Sequence, residues 1–149
     1  MTKPKSHVPE GLSPVIPQLV VSDGNALVAF VEKAFEAKLD HVMPNPNGKG
    51  VMHGMFRIGG VAVFVSDASD FAKPTSANLF VYLPDVDAAV ERAKAAGAKV
   101  LAPVADMFWG DRWAMLADPW GNVWQVATHK EVLAPEEMMR RMAANAPKG

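Results

Sequence analysis

Leu19-Val20-Val21-Ser22-Asp23 runs into Gly24-Asn25-Ala26-Leu27-Val28-Ala29-Phe30-Val31-Glu32-Lys33-Ala34-Phe35-Glu36-Ala37-Lys38-Leu39, and Val81-Tyr82-Leu83-Pro84-Asp85 runs into Val86-Asp87-Ala88-Ala89-Val90-Glu91-Arg92-Ala93-Lys94-Ala95-Ala96-Gly97-Ala98-Lys99-Val100. Each stretch reads as a short apolar strand, an Asp placed to cap a helix, an amphipathic helix, and an Ala-Lys-aliphatic entry into a further strand. One supersecondary unit is used twice. A chain built this way is expected to carry its site where the two copies face each other.

Outward from the first copy, the pattern predicts a strand through Val15–Val21, a helix over about Asn25–Glu36 and a strand near Leu39–Met43, ended by Pro44-Asn45-Pro46-Asn47-Gly48. Two apolar runs follow, Val51–Ile58 and Val61–Ser66, separated only by Gly59-Gly60, the spacing of a tight hairpin. The polar stretch Asp67–Ser76, with Pro74, reads as a linker. The second copy predicts a strand at Asn78–Leu83, a helix over about Val86–Ala96, a strand near Lys99–Pro103, and a last pair at Arg112–Ala117 and Asn122–Thr128. Asp118-Pro119-Trp120-Gly121 closes that pair.

Each half therefore reads βαβββ, with helices on one side of mainly antiparallel strands, and the chain is expected to be α+β. The organisation expected is a mobile arm at 1–14, a single domain at 15–130 made of repeats at about 15–66 and 77–128, and a C-terminal helix at 134–146. That helix has Pro135 in its first turn, Glu136 and Glu137 at its positive end, and Arg140 and Arg141 near its negative end. Its Met138, Met139 and Met142 give it an apolar face to dock on the domain or on a second subunit.

The 149 residues carry a formal charge of −1 from nearly balanced acids and bases, which offers no field for nucleic acid or an anionic membrane. No apolar leader follows Met1 and no run suits a bilayer, so a cytoplasmic protein is expected. The absence of cysteine removes disulfides, thiolate nucleophiles and Cys-ligated metal sites. There is no glycine-rich phosphate loop, no nucleophile elbow and no helical His-x-x-x-His pair.

The two βαβββ units, Arg57-Ile58-Gly59-Gly60 at a hairpin, Trp109-Gly110-Asp111-Arg112, and above all Asp118-Pro119-Trp120-Gly121-Asn122-Val123-Trp124-Gln125-Val126-Ala127-Thr128-His129 resemble the glyoxalase, bleomycin-resistance and extradiol dioxygenase superfamily, the vicinal oxygen chelate fold. Within it the chain is similar to the PhnB-like group. The resemblance covers roughly Val15 to the C-terminus. It implies that each half curls into a partial barrel and that a cleft bounded by curved sheets holds the ligand. In metal-dependent relatives, His or Glu side chains reach into that cleft from the first and last strands of each half, and the divalent ion acts as a Lewis acid on the substrate.

Carried onto this sequence, the implied ligand positions fall at Ile16, near Met55, at Asn78 and at Gln125. Isoleucine binds no metal, and neutral amides are weak ligands beside imidazole or carboxylate. His53, two residues before Met55, shares its face by strand alternation. No cofactor is expected on this count, His53 and Gln125 being weak candidates for a divalent metal. His41 and His129 read as solvent-facing at strand ends.

The cleft residues expected from alternation and from the resemblance are Gln18, His53, Met55, Arg57, Asn78, Phe80, Tyr82 and Gln125. Phe108 and Trp109, beside Gly110, are expected either to rim the cleft and stack on a flat ring or to bury themselves in a dimer interface or sheet end. Asp111 is expected to accept from local backbone N–H groups, and Arg112 either pairs structurally or orients a polar ligand. Trp113, Trp120 and Trp124 read as packing residues. The expected function is metal-independent binding of a small organic ligand by a homodimer. The alternatives are a glyoxalase-like lyase or dioxygenase with a divalent metal on His53, and a protein-contact module whose pocket is filled by its own Phe80, Tyr82 and Trp109.

Overall fold

Asp23 and Asp85 sit in extended backbone and accept from the N–H three residues on, Asp23 from Ala26 at 3.0 Å and Asp85 from Ala88 at 3.1 Å. They start α1 (Gly24–Phe35) and α2 (Val86–Ala95) in the computed structural model, which describes residues 2–146. α1 buries Leu27, Val28, Phe30, Val31, Ala34 and Phe35, and α2 buries Val86, Ala89, Val90 and Ala93. A cap contributes about 1 kcal/mol, whereas each fully buried Val, Leu or Phe contributes about 1.5–3 kcal/mol. The apolar faces therefore hold the helices, and the caps set where they begin.

The chain divides into two compact units, at Thr75 and Ser76. In the first, β1 (Gln18–Val21), β2 (Lys38–Met43), β3 (His53–Ile58) and β4 (Val61–Asp67) form a sheet in the order β1-β4-β3-β2, with β1 parallel to β4 and the other pairs antiparallel. The second repeats this with β5 (Asn78–Tyr82), β6 (Lys99–Asp106), β7 (Asp111–Ala117) and β8 (Val123–His129), in the order β5-β8-β7-β6 and with β5 parallel to β8. The fold is α+β, two βαβββ modules as expected.

Both helices are tied to the last strand of their own unit. Asp67 accepts from Gly24 N at 2.8 Å and from Val51 N at 3.0 Å; Thr128 Oγ1 accepts from Val86 N at 2.9 Å and donates to the Leu83 carbonyl at 2.8 Å. A Cβ on Gly50 would overlap the Asp67 carboxylate, so glycine is required where the chain passes it.

Several boundaries differ from expectation for local reasons. β1 starts at Gln18 rather than Val15, because Pro17 has no N–H and offers only its carbonyl, which accepts from Phe64 N. β3 starts at His53 rather than Val51, whose N–H is held by Asp67. β6 runs past Pro103 to Asp106: it is an edge strand with register shifts between Val100 and Ala105, where a residue without N–H is tolerated.

Asp118 and Asn122 knot the β7–β8 turn. The buried Asp118 carboxylate accepts from the backbone N–H groups of Trp120 and Asn122, from Asn122 Nδ2 and from Trp124 Nε1, all within 3.0 Å. Asn122 Oδ1 accepts from Ala77 N at the entry to β5. The C-terminal helix α3 (Pro135–Ala144) buries no residue; Arg141 joins it to Glu131 at 2.6 Å and pairs within the helix with Glu137 at 3.0 Å. Among the described residues no helix is long and apolar enough to cross a membrane.

Candidate functional site

In each unit the helix packs on one face of the sheet and leaves the other open, and strand register decides which side chains share the open face. On the first sheet Gln18, Phe64, Met55 and His41 stand in one row across β1, β4, β3 and β2. Met43 and His53 form the neighbouring pair. The His53 ring lies edge-on to Phe64 with centroids 4.7 Å apart, and its centroid is 5.6 Å from that of His41. Arg57 is engaged within its own unit: Nε donates to Asp40 at 2.8 Å, and Nη1 donates to the Gly11 and Gly60 carbonyls.

The second sheet carries a different surface. Phe80, Gln125 and Met115 form one row; Tyr82, Ala127 and Trp113 form the next; Asp111 and His129 stand opposite each other at the end. Asp111 is 2% exposed and accepts from three side chains: Tyr82 Oη at 2.9 Å, Trp109 Nε1 at 2.9 Å and His129 Nδ1 at 2.8 Å. Burial pushes its carboxyl up, but the bonds from His129, Tyr82 and Trp109 outweigh that and hold it below the ordinary range. The same bond, with burial, pushes the Tyr82 hydroxyl up. An ionised carboxylate only accepts, so His129 carries its proton on Nδ1 and turns Nε2 outward.

Asp111 thus pins the polar ends of Tyr82 and Trp109 and leaves their rings as surface. Phe80 lies 5.1 Å from Tyr82 at a tilt of 38°, Phe108 lies edge-on to Trp109 at 5.1 Å, and Trp109 is 5.9 Å from Trp113. Beside this wall, Gln125 Oε1 accepts from Trp113 Nε1 and Gln125 Nε2 donates to Asn78 Oδ1, both at 3.2 Å. A cleft of about 550 Å³ opens next to it, lined by Met107, Phe108, Asp111, Lys130 and Arg141 among others.

The structure therefore brings Gln18, His53, Met55 and Arg57 together on one open face. It brings Asn78, Phe80, Tyr82 and Gln125 together on the other, with Trp109 and Phe108 at its end. Arg112 stands apart. It lies on the helix side of β7 with Ala114 and Leu116, donates twice to Asp87 of α2 at 2.7 and 3.0 Å and once to Asp106, and holds the Asp87 carboxyl below its ordinary range. Asp111 accepts from side chains rather than from local backbone; Trp113 lies on the open face, and His129 is half exposed but oriented. Alternation along 111, 113 and 115 was the signal for Trp113.

Register also moves one of the metal positions that the resemblance implies. Phe64 faces Gln18 as Gln125 faces Phe80, so the counterpart of Gln125 in the first unit is Phe64, not Met55. Ile16 and Phe64 in the first unit and Asn78 and Gln125 in the second then offer no charge and no imidazole, and the carbonyl oxygens of both amides already accept hydrogen bonds. Neither pair has the chemistry of a divalent-cation ligand pair. Among the described residues no three His, Cys, Asp or Glu side chains are placed to share an ion.

Known proteins resemble this chain in sequence or in fold. An uncharacterised protein of Mycobacterium bovis is 32% identical over 139 residues, which is 86% of this chain and 91% of that protein. The crystal structure of TioX from Micromonospora sp. ML1 matches 78% of this chain and 98% of its own at 26% identity and a TM-score of 0.66. The genomically encoded fosfomycin resistance protein FosX of Listeria monocytogenes, complexed with Mn(II) and a sulfate ion, shares the fold at 20% identity and a TM-score of 0.61, over 87% of this chain and 97% of its own. Residues 12–126 match the family described as the Glyoxalase/Bleomycin resistance protein/Dioxygenase superfamily, and the chain belongs to it.

Proposed function

We propose that this chain binds a small, flat aromatic molecule on the open face of its second sheet, without a resident divalent metal. The observation that carries the reading is the Asp111 carboxylate, which takes the phenol of Tyr82 and the indole N–H of Trp109 and so presents both rings as fixed apolar surface. Phe80 and Tyr82 remain 45% and 60% exposed, a large aromatic area with nothing of the unit laid over it. Rings held in this way lose little freedom when a second ring stacks on them. The Asn78 and Gln125 amides and the outward Nε2 of His129 supply hydrogen bonds at its margins.

The Listeria neighbour carries Mn(II), so the alternative reading, a lyase or dioxygenase with a divalent metal on His53, is tested alongside. Within the superfamily we place the chain with the PhnB-like group on its Asp118–His129 segment, and we propose that it works as a homodimer. The docking element is α3, whose Met139 and Met142 are 64% and 48% exposed.

The test is Trp fluorescence titrated with planar aromatic compounds and their saturated analogues, on protein stripped by chelation and on protein given Mn(II), Zn(II), Ni(II) or Fe(II). Quenching by the aromatic set alone, unchanged by metal and weakened about tenfold in Phe80→Ala, is the expected outcome. Binding that requires a stoichiometric divalent ion and is lost in His53→Ala overturns it in favour of the metal enzyme.

A further inference from the structure

We propose that the open face of the β2–β3 hairpin is a binding site for a soft monovalent cation, copper(I) or silver(I), formed by His41, Met43, His53 and Met55. His41 pairs directly with Met55, and Met43 directly with His53, so four side chains project from one face as a two-by-two grid with the histidines on one diagonal and the methionines on the other. Side chains opposite each other across an antiparallel pair have Cβ atoms about 5 Å apart, and those two apart along a strand are about 7 Å apart. An ion over the centre of the grid is then within reach of all four.

The ring geometry agrees. A metal bonded to an imidazole nitrogen lies about 3 Å from the ring centroid, so two imidazoles sharing an ion have centroids no more than about 6 Å apart. The His41 and His53 centroids are 5.6 Å apart with a tilt of 43°. No hydrogen bond engages a ring nitrogen of either histidine among the described residues, in contrast to His129, which Asp111 fixes. Phe64 stacks edge-on against His53 and forms one wall.

Ligand chemistry selects the ion. Two imidazoles and two thioethers form a donor set without charge, suited to a soft ion of low charge; Mn(II) and Mg(II) draw on carboxylate, and Zn(II), though it accepts imidazole, gains little from thioether. The nearest carboxylate on β2, Asp40, is engaged by Arg57 at 2.8 Å and adds no net negative charge. None of the four residues stands at a ligand position shared with the superfamily's divalent site, which register assigns to Phe64 in this unit. The grid lies on a different sheet from the aromatic-binding face and does not depend on it.

The experiment is a calorimetric titration of the full chain with silver(I), a redox-inert stand-in for copper(I), with methionine-methyl NMR to locate the ion. One silver per chain, with shifts in the methyl resonances of Met43 and Met55, is expected. The double variant Met43→Leu with Met55→Leu conserves volume and is expected to keep its melting temperature while binding at least tenfold more weakly. His41→Asn with His53→Asn is expected to lose the stoichiometric site, and Met139→Leu with Met142→Leu on α3 to leave it unchanged. Failure to bind one silver per chain, full binding in the Met43 and Met55 double variant, or tighter binding of zinc than of silver at the same residues overturns the proposal.

Discussion

The two units share a plan and differ in what they do with it. Both begin with an Asp cap, both pair their first strand in parallel with their last, and both tie the first N–H of the helix to the last strand. Yet the first closes its long hairpin with two glycines at φ 55° and 83°, and the second closes it with the Asp118–Asn122 knot. The open face of the first sheet carries imidazoles and thioethers, and that of the second carries aromatic rings around a buried carboxylate. Residues joining helix to sheet thus keep their geometry in both copies, even when an Asp is replaced by a Thr, while the open face is free to diverge.

The largest test of this contrast is at the hairpins. Asp118→Ala strands the donors of Trp120, Asn122 and Trp124 in a buried place, and we expect a loss of about 3 kcal/mol or more in urea unfolding. Gly60→Ala, at the matching turn of the first unit, only forces a side chain into the left-handed region and should cost about 1 kcal/mol. Equal losses at the two sites would show that the knot adds nothing to turn closure.

Next come the helix ties. Asp67→Ala frees the N–H groups of Gly24 and Val51 and removes a negative group from the start of α1, for an expected cost of about 2 kcal/mol. Thr128→Val loses the neutral tie at Val86 and should cost about 1 kcal/mol. If Thr128→Val proved the more costly in thermal unfolding, the charge on Asp67 would not be what strengthens the first tie.

Acid separates the units as well. Asp111 is depressed in the fold below its ordinary value of 3.8, so its stabilising contribution is complete above that value and disappears as pH falls through the lower, folded-state value. Melting temperature followed from pH 5 downward should therefore fall less steeply in Asp111→Asn than in the parent chain, though from a lower start. An unchanged slope would remove Asp111 as a source of acid sensitivity. Smallest of all, Phe80→Ala is expected to move stability by no more than about 0.5 kcal/mol, because the ring is 45% exposed, even as it weakens aromatic binding.

Much of this was legible in the residues. Asp23 and Asp85, Gly59-Gly60 and Asp118-Pro119-Trp120-Gly121 act through neighbours two to four residues away, and local spacing reveals such contacts. The partners of Asp111 are not legible in this way, because two of its donors, Tyr82 and His129, are 29 and 18 residues distant, and only strand pairing brings them in. The shift from Met55 to Phe64 has the same origin: counting along a hairpin finds a face, but naming the residue opposite Gln18 requires the register of β1 on β4. Spacing alone reads His41 as solvent-facing at a strand end, and its place beside His53 depends on the bulge between Leu39 and His41.

The parallel pairing of first strand with last has a consequence for the order in which the chain takes shape during synthesis. The Gln18 side chain on β1 reaches Ser66 on β4 across 48 residues, and Gln125 on β8 reaches Asn78 on β5 across 47. At a ribosomal rate of about 5–20 residues per second, each opening strand spends a few seconds outside the ribosome before its neighbour exists. The antiparallel hairpins β3–β4 and β7–β8, whose partners follow at once, are then the early structures, and β1 and β5 are latecomers to sheets whose other three strands are already in place.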